Sequence, residues 1–215
     1  MLHRIYTPEE LDRLFDTYYQ LFVRGYDYSC HLHEGIRQYV ALSRERNALI
    51  LSVLINQGIT TREVKNIETG NLDLMKATLK IQGGKRLNDR TLPLKASQMG
   101  LFINYLQNTR PQLFKYQEKE TDKLFLPLPA SIYDTADDDI KRGVFAFFTT
   151  QIKSIDRQFI NFQQIRASMI TFWIKTHGLR KAQYMAGHRA IHTTERYVNN
   201  NLEDLTNDIN KLHPF

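Results

Sequence analysis

Cysteine is almost absent from this sequence, because the 215 residues contain a single one, Cys30. One thiol cannot form a disulfide within the chain, so the disulfide-rich secreted scaffolds are excluded. Zinc sites built from several thiolates are excluded for the same reason. The composition therefore fits a protein of a reducing compartment.

Long hydrophobic runs are missing as well. No apolar stretch approaches the roughly 20 residues that a membrane-spanning helix needs, and the N-terminus lacks the apolar segment of a signal peptide. We therefore expect no membrane partner and a cytoplasmic location, with association to the nucleoid if the protein binds DNA.

Acidic residues are slightly fewer than basic residues. The chain has 29 Lys and Arg residues against 23 Asp and Glu, a net charge of +6 and a pI near 9.3. This excess favours a polyanionic partner, but many basic proteins bind no nucleic acid, so charge alone leaves both alternatives open. With 42% hydrophobic residues, the chain can bury one core.

Helix-start signals and hydrophobic periodicity predict a mostly helical chain. Thr7-Pro8-Glu9-Glu10 combines a capping residue, a proline at the first helical position and a glutamate that completes a capping box. A second capping-box pattern stands at Thr60-Thr61-Arg62-Glu63. The dense apolar segment over 36–56 predicts a buried helix, which Gly58 ends. Further helices are expected over 97–106, 144–155, 162–176, 179–185, 194–199 and 202–212.

Strand signals are confined to the middle of the chain. Short β-prone runs at 72–74, 78–81 and 90–94, interrupted by glycine and asparagine, predict a small antiparallel sheet of two or three strands. The segment 108–139 is rich in proline, aspartate and lysine and shows little periodicity, so we expect a long surface excursion there. The predicted fold class is α+β, mostly α-helical.

The last third of the chain holds the residues that could act on a phosphodiester. Arg166, Gly187-His188 and Tyr197 lie within 32 residues. A guanidinium, an imidazole and a phenol are the groups needed to hold a phosphodiester and attack it without a metal. Each also has an ordinary interpretation: an arginine paired with a carboxylate, a histidine that covers a loop, and a tyrosine of an amphipathic helix.

The run from Met185 to Tyr197, with Gly187-His188, a short spacer, Thr193-Thr194 and Tyr197, resembles the C-terminal signature of the tyrosine recombinases, the phage integrase family. The resemblance implies that Tyr197 is a nucleophile that attacks a scissile DNA phosphate and leaves a 3′-phosphotyrosyl enzyme and a free 5′-hydroxyl. It also implies the catalytic fold of that family, no metal or other cofactor, and double-stranded DNA as the partner.

Other family positions follow from the same resemblance. Arg166 stands in Gln163-Gln164-Ile165-Arg166, where the family usually has His-x-x-Arg, so Arg166 is expected to bind phosphate oxygens. Gln163 replaces the family histidine with a side chain that can donate a hydrogen bond but carries no proton. His188 matches the histidine that donates a hydrogen bond to the phosphate.

The segment from Gly83 to Leu94 resembles the family's β-hairpin, in which a lysine protonates the leaving 5′-oxygen. Lys85 is therefore the expected general acid, with Arg86 as the alternative if the turn shifts by one residue. A basic hairpin tip can also contact the DNA backbone without a catalytic role. Lys85, Arg86, Arg90 and Arg189 are the expected DNA-binding residues.

The main departure from the family lies at Thr60. Gln57-Gly58-Ile59-Thr60-Thr61-Arg62-Glu63 aligns with a family motif whose first catalytic arginine would stand at position 60. Arg62 is two helical positions away, a rotation of about 200°, so it should point elsewhere. Another arginine could reach the site from a different element, or catalysis is weak or lost. This box and the run before His188 are similar to those of integrases of Bacteroides-type mobile elements.

The resemblance predicts a site-specific recombinase that integrates or excises a mobile element. A catalytically impaired DNA-binding or regulatory relative is the alternative, and a type IB topoisomerase fragment is a third. We expect residues 1–215 to be one catalytic domain without the family's N-terminal core-binding domain, tetrameric on DNA and monomeric or weakly dimeric when free. The apolar stripe in 200–215 either covers its own domain or is exchanged with a neighbouring subunit.

Overall fold

The protein is described by a computed structural model that covers residues 4–31, 33–129 and 140–198, with the backbone alone for 140–144 and 146. The predicted segment 202–212 and the stripe in 200–215 lie outside the described residues. The chain is mostly helical. Its α-helices are α1 (Pro8–Tyr19), α2 (Glu34–Gln57), α3 (Thr61–Asn66), α4 (Ala96–Asn104), α5 (Arg110–Phe114), α6 (Ile140–Ile155), α7 (Phe162–Ala186) and α8 (191–198).

Helix α1 begins at the predicted capping box. The Thr7 hydroxyl accepts a hydrogen bond from the Glu10 amide at 3.2 Å, and the Glu10 carboxylate accepts one from the Thr7 amide at 2.9 Å. These bonds satisfy two amides that a helix start leaves without partners. The apolar face of α1 buries Leu11, Leu14 and Tyr18, and a π-helical turn over Gln20–Arg24 extends the helix.

Helix α2 is the centre of the fold, with contacts to α1, α4 and α7. Every residue from Ala48 to Ile55 is buried, as the dense apolar run predicts. Gly58 ends the helix with φ +54°, and a Cβ at this position would lie 2.6 Å from Cη2 of Trp173 in α7. Only glycine meets both the backbone and the packing requirement, so α2 and α7 come close together at this point.

The predicted sheet is confirmed as three antiparallel strands in the order β1 (Leu72–Asp73), β2 (Thr78–Ile81) and β3 (Arg90–Pro93). Leu79 pairs with Leu92 and Ile81 with Arg90, and all four side chains are buried on one face. Alternation of buried and exposed residues along β2 and β3 therefore sets the register. The loop between them forms the tip of a hairpin.

Helix α7 is interrupted at Gly178, which has φ +79°. This break separates the two helices predicted over 162–176 and 179–185. The C-terminal part ends at Gly187, and the following turn leads into α8.

The expectation that 108–139 forms only a surface excursion is wrong for part of the segment. Arg110–Phe114 is helical, and Leu124, Phe125 and Leu126 are buried in the core. The Leu124 amide donates to the Ile67 carbonyl at 2.8 Å, which fixes the segment beside α3. Three adjacent apolar residues carry no period, so the sequence pattern could not show that they are buried. Within the described ranges, none of the helices combines the length and hydrophobicity that a bilayer crossing requires.

Candidate active site

Four of the predicted catalytic residues meet where α7, the turn after it and α8 come together. Arg166 Nη2 lies 3.2 Å from His188 Nε2, and Gln163 Nε2 lies 3.5 Å from the Tyr197 hydroxyl. The rings of His188 and Tyr197 stack with centroids 5.9 Å apart and an angle of 17° between their planes. A guanidinium, an imidazole, an amide and a phenol thus occupy one cluster.

Arg166 is buried, with 3% of its surface exposed. Its Nη1 donates to the Gly58 carbonyl at 2.6 Å, and its Nη2 donates to the Ala186 carbonyl at 2.7 Å. These carbonyls belong to the C-terminal ends of α2 and α7, where helix dipoles are negative and stabilise a cation. Nη1 is also 3.9 Å from a carboxylate oxygen of Glu63. Backbone carbonyls are therefore its nearest partners.

Gly187 places His188 in the cluster. Its backbone has φ +72°, and a Cβ there would lie 2.6 Å from Nη1 of Arg90. Because a side chain at this position would be strained and would collide with Arg90, glycine is needed for the turn. The His188 amide donates to the Gln183 carbonyl at 3.0 Å, so backbone contacts fix the residue that carries the imidazole.

His188 is neutral in this environment. Desolvation of the buried ring, followed by the positive charges of Arg166 and Arg90, lowers its pKa to about 4, against a smaller opposing effect of Glu63. A neutral imidazole carries one proton and one lone pair, so its hydrogen-bond partners decide which nitrogen holds the proton.

The hairpin tip between β2 and β3 is attached to the turn that carries His188. The Asn88 amide donates to the Gly187 carbonyl at 2.8 Å, and Leu87 forms a β-bridge with His188. Arg189 Nη2 donates to the Gly84 carbonyl at 3.1 Å. The hairpin therefore cannot move independently of the His188 turn while these bonds hold.

Lys85 and Arg86 are exposed on the hairpin tip. They line an open groove of about 550 Å³ between the hairpin and α3, whose other wall carries Thr60, Arg62 and Glu63. Lys85 thus lies on the same groove as the position where the family has its first arginine, but it is not in contact with the cluster around Arg166. Arg189 is also exposed.

Arg90 is buried in the structure. The prediction that it contacts DNA is wrong, because its side chain has no exposed surface. Its Nη1 forms an ion pair with Glu63 Oε1 at 2.6 Å, and its Nε donates to the Met185 carbonyl at 2.8 Å. The buried carboxylate of Glu63 needs a cation beside it, and Arg90 supplies that charge.

Thr60 forms the predicted capping box at the start of α3. Its hydroxyl accepts from the Glu63 amide at 3.1 Å, while Glu63 Oε2 accepts from the Thr60 amide at 2.8 Å and from its hydroxyl at 3.0 Å. The carboxylate of Glu63 therefore joins Thr60 to Arg90, so a second guanidinium reaches the neighbourhood of Arg166 from strand β3. The sequence signal that could have located Arg90 is its inward position in the strand alternation.

The sequence profile of the Phage integrase family matches residues 33–204 of the chain. The chain belongs to the phage integrase family. The match includes α2, the hairpin, α7 and the turn with His188, which are the elements that build the cluster.

A curated relative in the same family, the tyrosine recombinase XerC of Natranaerobius thermophilus, is 30% identical over 172 residues, covering 79% of this chain and 56% of the relative. The chain spans about half the length of the curated relatives it matches.

Among solved structures, the XerH site-specific recombinase bound to a palindromic difH substrate has a TM-score of 0.65 and 19% identity, covering 98% of this chain and 53% of that one. The Tn1549 transposon integrase in complex with a circular intermediate DNA has a TM-score of 0.60 and 15% identity, covering 92% and 62%. At these identities the likeness shows a shared fold, which confirms the predicted class of mostly α-helical recombinase fold with a small antiparallel sheet.

Proposed function

We propose that this chain is the catalytic domain of a site-specific DNA recombinase that cuts and rejoins DNA through a 3′-phosphotyrosyl intermediate. The observation that carries the proposal is the convergence of Gln163 and Arg166 of α7 with His188 of the following turn and Tyr197 of α8. Membership of the phage integrase family and the recombinase fold support it.

In this proposal the Tyr197 oxygen attacks the scissile phosphorus, its proton passes to water, and the bond from phosphorus to the 5′-oxygen breaks. Arg166 and His188 bind the non-bridging oxygens, whose charge grows as the attack proceeds. Lys85 gives a proton to the leaving 5′-oxygen. Gln163 donates a hydrogen bond towards the tyrosine or the phosphate. Attack by a 5′-hydroxyl on the phosphotyrosine reverses these steps and rejoins the strand.

The groove beside the cluster is the proposed path of the DNA backbone. Lys85, Arg86 and Arg62 place three cationic side chains on its walls. Cations on an open groove bind phosphates without regard to sequence and hold the duplex in position. Arg189 lies on the adjacent turn and adds a further contact with the DNA backbone. Arg90 is buried and does not contact the DNA, but its ion pair with Glu63 supports the wall of the groove.

The relatives suggest the biological setting of this reaction. The Tn1549 transposon integrase shares the fold, and we propose that this chain serves the integration or excision of a mobile element. Cutting and exchanging strands of two duplexes needs four active sites, so we propose that the chain acts as a tetramer on DNA. Such a protein would act in the cytoplasm on the nucleoid.

The alternative function is DNA binding without cleavage. One observation favours it: Thr60 caps a helix at the position where the family has an arginine. Among the described residues, Arg166 is therefore the only one whose guanidinium contacts His188. Loss of one phosphate-binding group ordinarily costs several kcal/mol of transition-state stabilisation. A covalent trapping experiment separates the two functions.

Because the target sequence is not known, the substrate is a pool of nicked duplexes with a randomised segment, in which cleavage beside the nick releases a short fragment and traps the enzyme. We expect a covalent protein–DNA adduct whose DNA, when sequenced, contains a common motif. Tyr197→Phe should abolish the adduct. Tyr184→Phe, which removes an exposed phenol outside the cluster, should form it normally. Selection of a DNA motif by binding, without any adduct, would support the non-catalytic alternative.

A further inference from the structure

His188 is held at both ring nitrogens by buried side chains. Nδ1 lies 2.9 Å from the hydroxyl oxygen of Thr194, and Nε2 lies 3.2 Å from Nη2 of Arg166. Thr194 has no exposed surface, and His188 is 6% exposed. Water is therefore nearly excluded from both contacts, so the two protein partners decide where the ring proton sits.

Arg166 determines which ring nitrogen of His188 carries the proton in the free protein. A guanidinium has only donors, so Nε2 must accept the hydrogen bond from Nη2 with its lone pair. The neutral ring then carries its proton on Nδ1, and Nδ1–H donates to the Thr194 oxygen. The opposite tautomer would place an N–H on Nε2 facing the N–H of Arg166, and two donors repel at this distance.

This tautomer cannot serve the proposed reaction as it stands. The non-bridging oxygens of an ionised DNA phosphodiester have only lone pairs, so His188 can hydrogen-bond such a phosphate only with a proton on Nε2. In a neutral ring this leaves a lone pair on Nδ1, which then needs a donor. The hydroxyl of Thr194 can accept from Nδ1–H or donate to the Nδ1 lone pair after rotation about its C–O bond. A carbonyl or an amide nitrogen could do only one of these.

We propose that Thr194 is a positioning residue that allows His188 to change tautomer when a phosphate enters the site. In the free protein Nδ1–H donates to Thr194 and Nε2 accepts from Arg166. With phosphate bound, Arg166 Nη2–H donates to a phosphate oxygen instead of Nε2, Thr194 donates to Nδ1, and Nε2–H donates to a phosphate oxygen. The ring loses one proton at Nδ1 and gains one at Nε2 by exchange with solvent, to which His188 keeps 6% of its surface exposed, so its charge does not change. The inference rests on the proposed phosphate contact of His188.

The direct test is nitrogen NMR of protein labelled with ¹⁵N-histidine, with the His188 signals assigned by their loss in His188→Gln. In the free wild-type protein we expect Nδ1 to carry the proton and Nε2 to show the shift of an unprotonated nitrogen. Titration with dimethyl phosphate, an ionised phosphodiester that has no proton to donate, should exchange the two assignments. A free protein with its proton on Nε2, or a ring that keeps the same tautomer in saturating dimethyl phosphate, would overturn the inference.

Substitutions identify Thr194 as the residue responsible. Thr194→Ser keeps the hydroxyl and should exchange tautomers as the wild type does. Thr194→Val has nearly the same shape without the hydroxyl, so the exchange should be lost and dimethyl phosphate should bind about tenfold more weakly. Thr193→Val, the same change one residue earlier, should behave as the wild type. If Thr194→Val does not fold, the wild-type and Thr194→Ser spectra still decide the question.

The covalent trapping experiment separates this inference from the proposed function. If no adduct forms while dimethyl phosphate still exchanges the tautomers, the recombinase proposal fails and the role of Thr194 stands. If adducts form and Thr194→Val cleaves at the wild-type rate, the role of Thr194 is wrong and the recombinase proposal stands.

Discussion

Glu63 connects the start of α3 with Arg90 of β3 and Arg166 of α7. Its two carboxylate oxygens bind Arg90 and Thr60, and Arg166 lies 3.9 Å away. Desolvation by burial acts to raise the pKa of Glu63, but the hydrogen bond and charge of Arg90, the Thr60 amide and the charge of Arg166 together lower it below its usual value. Glu63 is therefore ionised although it is buried, and the guanidinium of Arg90 stabilises its negative charge.

The ion pair between Glu63 and Arg90 should couple the stability effects of substitutions at the two positions. Arg90→Met should lower the free energy of unfolding by about 3–5 kcal/mol, because it leaves the carboxylate of Glu63 buried without its cation. The double variant Glu63→Gln with Arg90→Met should lose less than Arg90→Met alone, since neither member of the pair is then left as a buried charge without its partner and glutamine can still complete the capping box. Urea denaturation of the single and double variants measures the coupling. Additive losses would show that the two side chains do not depend on each other.

At the scale of elements, helix α3 places Glu63 through its cap. Thr60 and Glu63 exchange hydrogen bonds at the start of the helix, as Thr7 and Glu10 do at the start of α1. The two boxes have the same chemistry, and only the one at α3 touches the candidate site. Comparing them separates the structural role of a cap from a role in catalysis.

We predict that Thr60→Ala costs about 1 kcal/mol of stability, and that Thr7→Ala, the matched change at α1, costs a similar amount. Both variants should keep a nearly unchanged single-turnover cleavage rate per folded molecule. Stability is measured by urea denaturation. The cleavage rate is measured on a substrate that contains the DNA motif recovered by trapping. A large fall in cleavage for Thr60→Ala but not for Thr7→Ala would show that position 60 has kept a role in the chemistry.

For the whole molecule, the lowered pKa of His188 predicts how stability depends on pH. The unfolded chain takes up a proton near pH 6.5, whereas the folded protein resists it until about pH 4. The stabilising contribution is therefore fully present above pH 6.5 and is lost as the pH falls towards 4. We expect the free energy of unfolding to fall by about 1–3 kcal/mol over this window, because one pKa unit corresponds to about 1.4 kcal/mol.

Urea denaturation at several pH values between 7 and 4 measures this effect. His188→Gln should flatten the part of the stability profile between pH 6.5 and pH 4, whereas acid unfolding through Glu63 should remain at lower pH because the pKa of Glu63 lies below its usual value. Parallel profiles for the wild type and His188→Gln would contradict the assignment of this window to His188.

The net charge of +6 and the cationic groove predict DNA binding that depends strongly on salt. The 215-residue chain alone should be monomeric or weakly dimeric and should bind duplex DNA weakly. Each phosphate contact contributes about −0.9 to the slope of log K against log salt, so Lys85→Met and Arg86→Met should each reduce that slope by about one. Lys119→Met, an exposed lysine outside the groove, should leave it unchanged. Tight, sequence-specific binding at physiological salt would contradict this prediction.

Much of the molecule was already determined by local sequence signals. The boxes at Thr7 and Thr60 started helices, and the alternation along β2 and β3 set the sheet. The break at Gly178 separated two helices, and the spacing of His188 and Tyr197 identified the family. Each of these signals acts within a few residues, through a hydrogen bond, a backbone angle or a period, so it can be recognised before the chain folds.

Only the tertiary structure decided which partners distant residues would have. The strand alternation places Arg90 on the inward face, but only the folded chain brings it to Glu63, 27 residues away. The Leu124 amide meets the Ile67 carbonyl 57 residues away, and the Arg166 guanidinium meets the Gly58 carbonyl 108 residues away. These contacts satisfy charges and polar atoms that become buried only when the elements pack, and no spacing along the chain records that need.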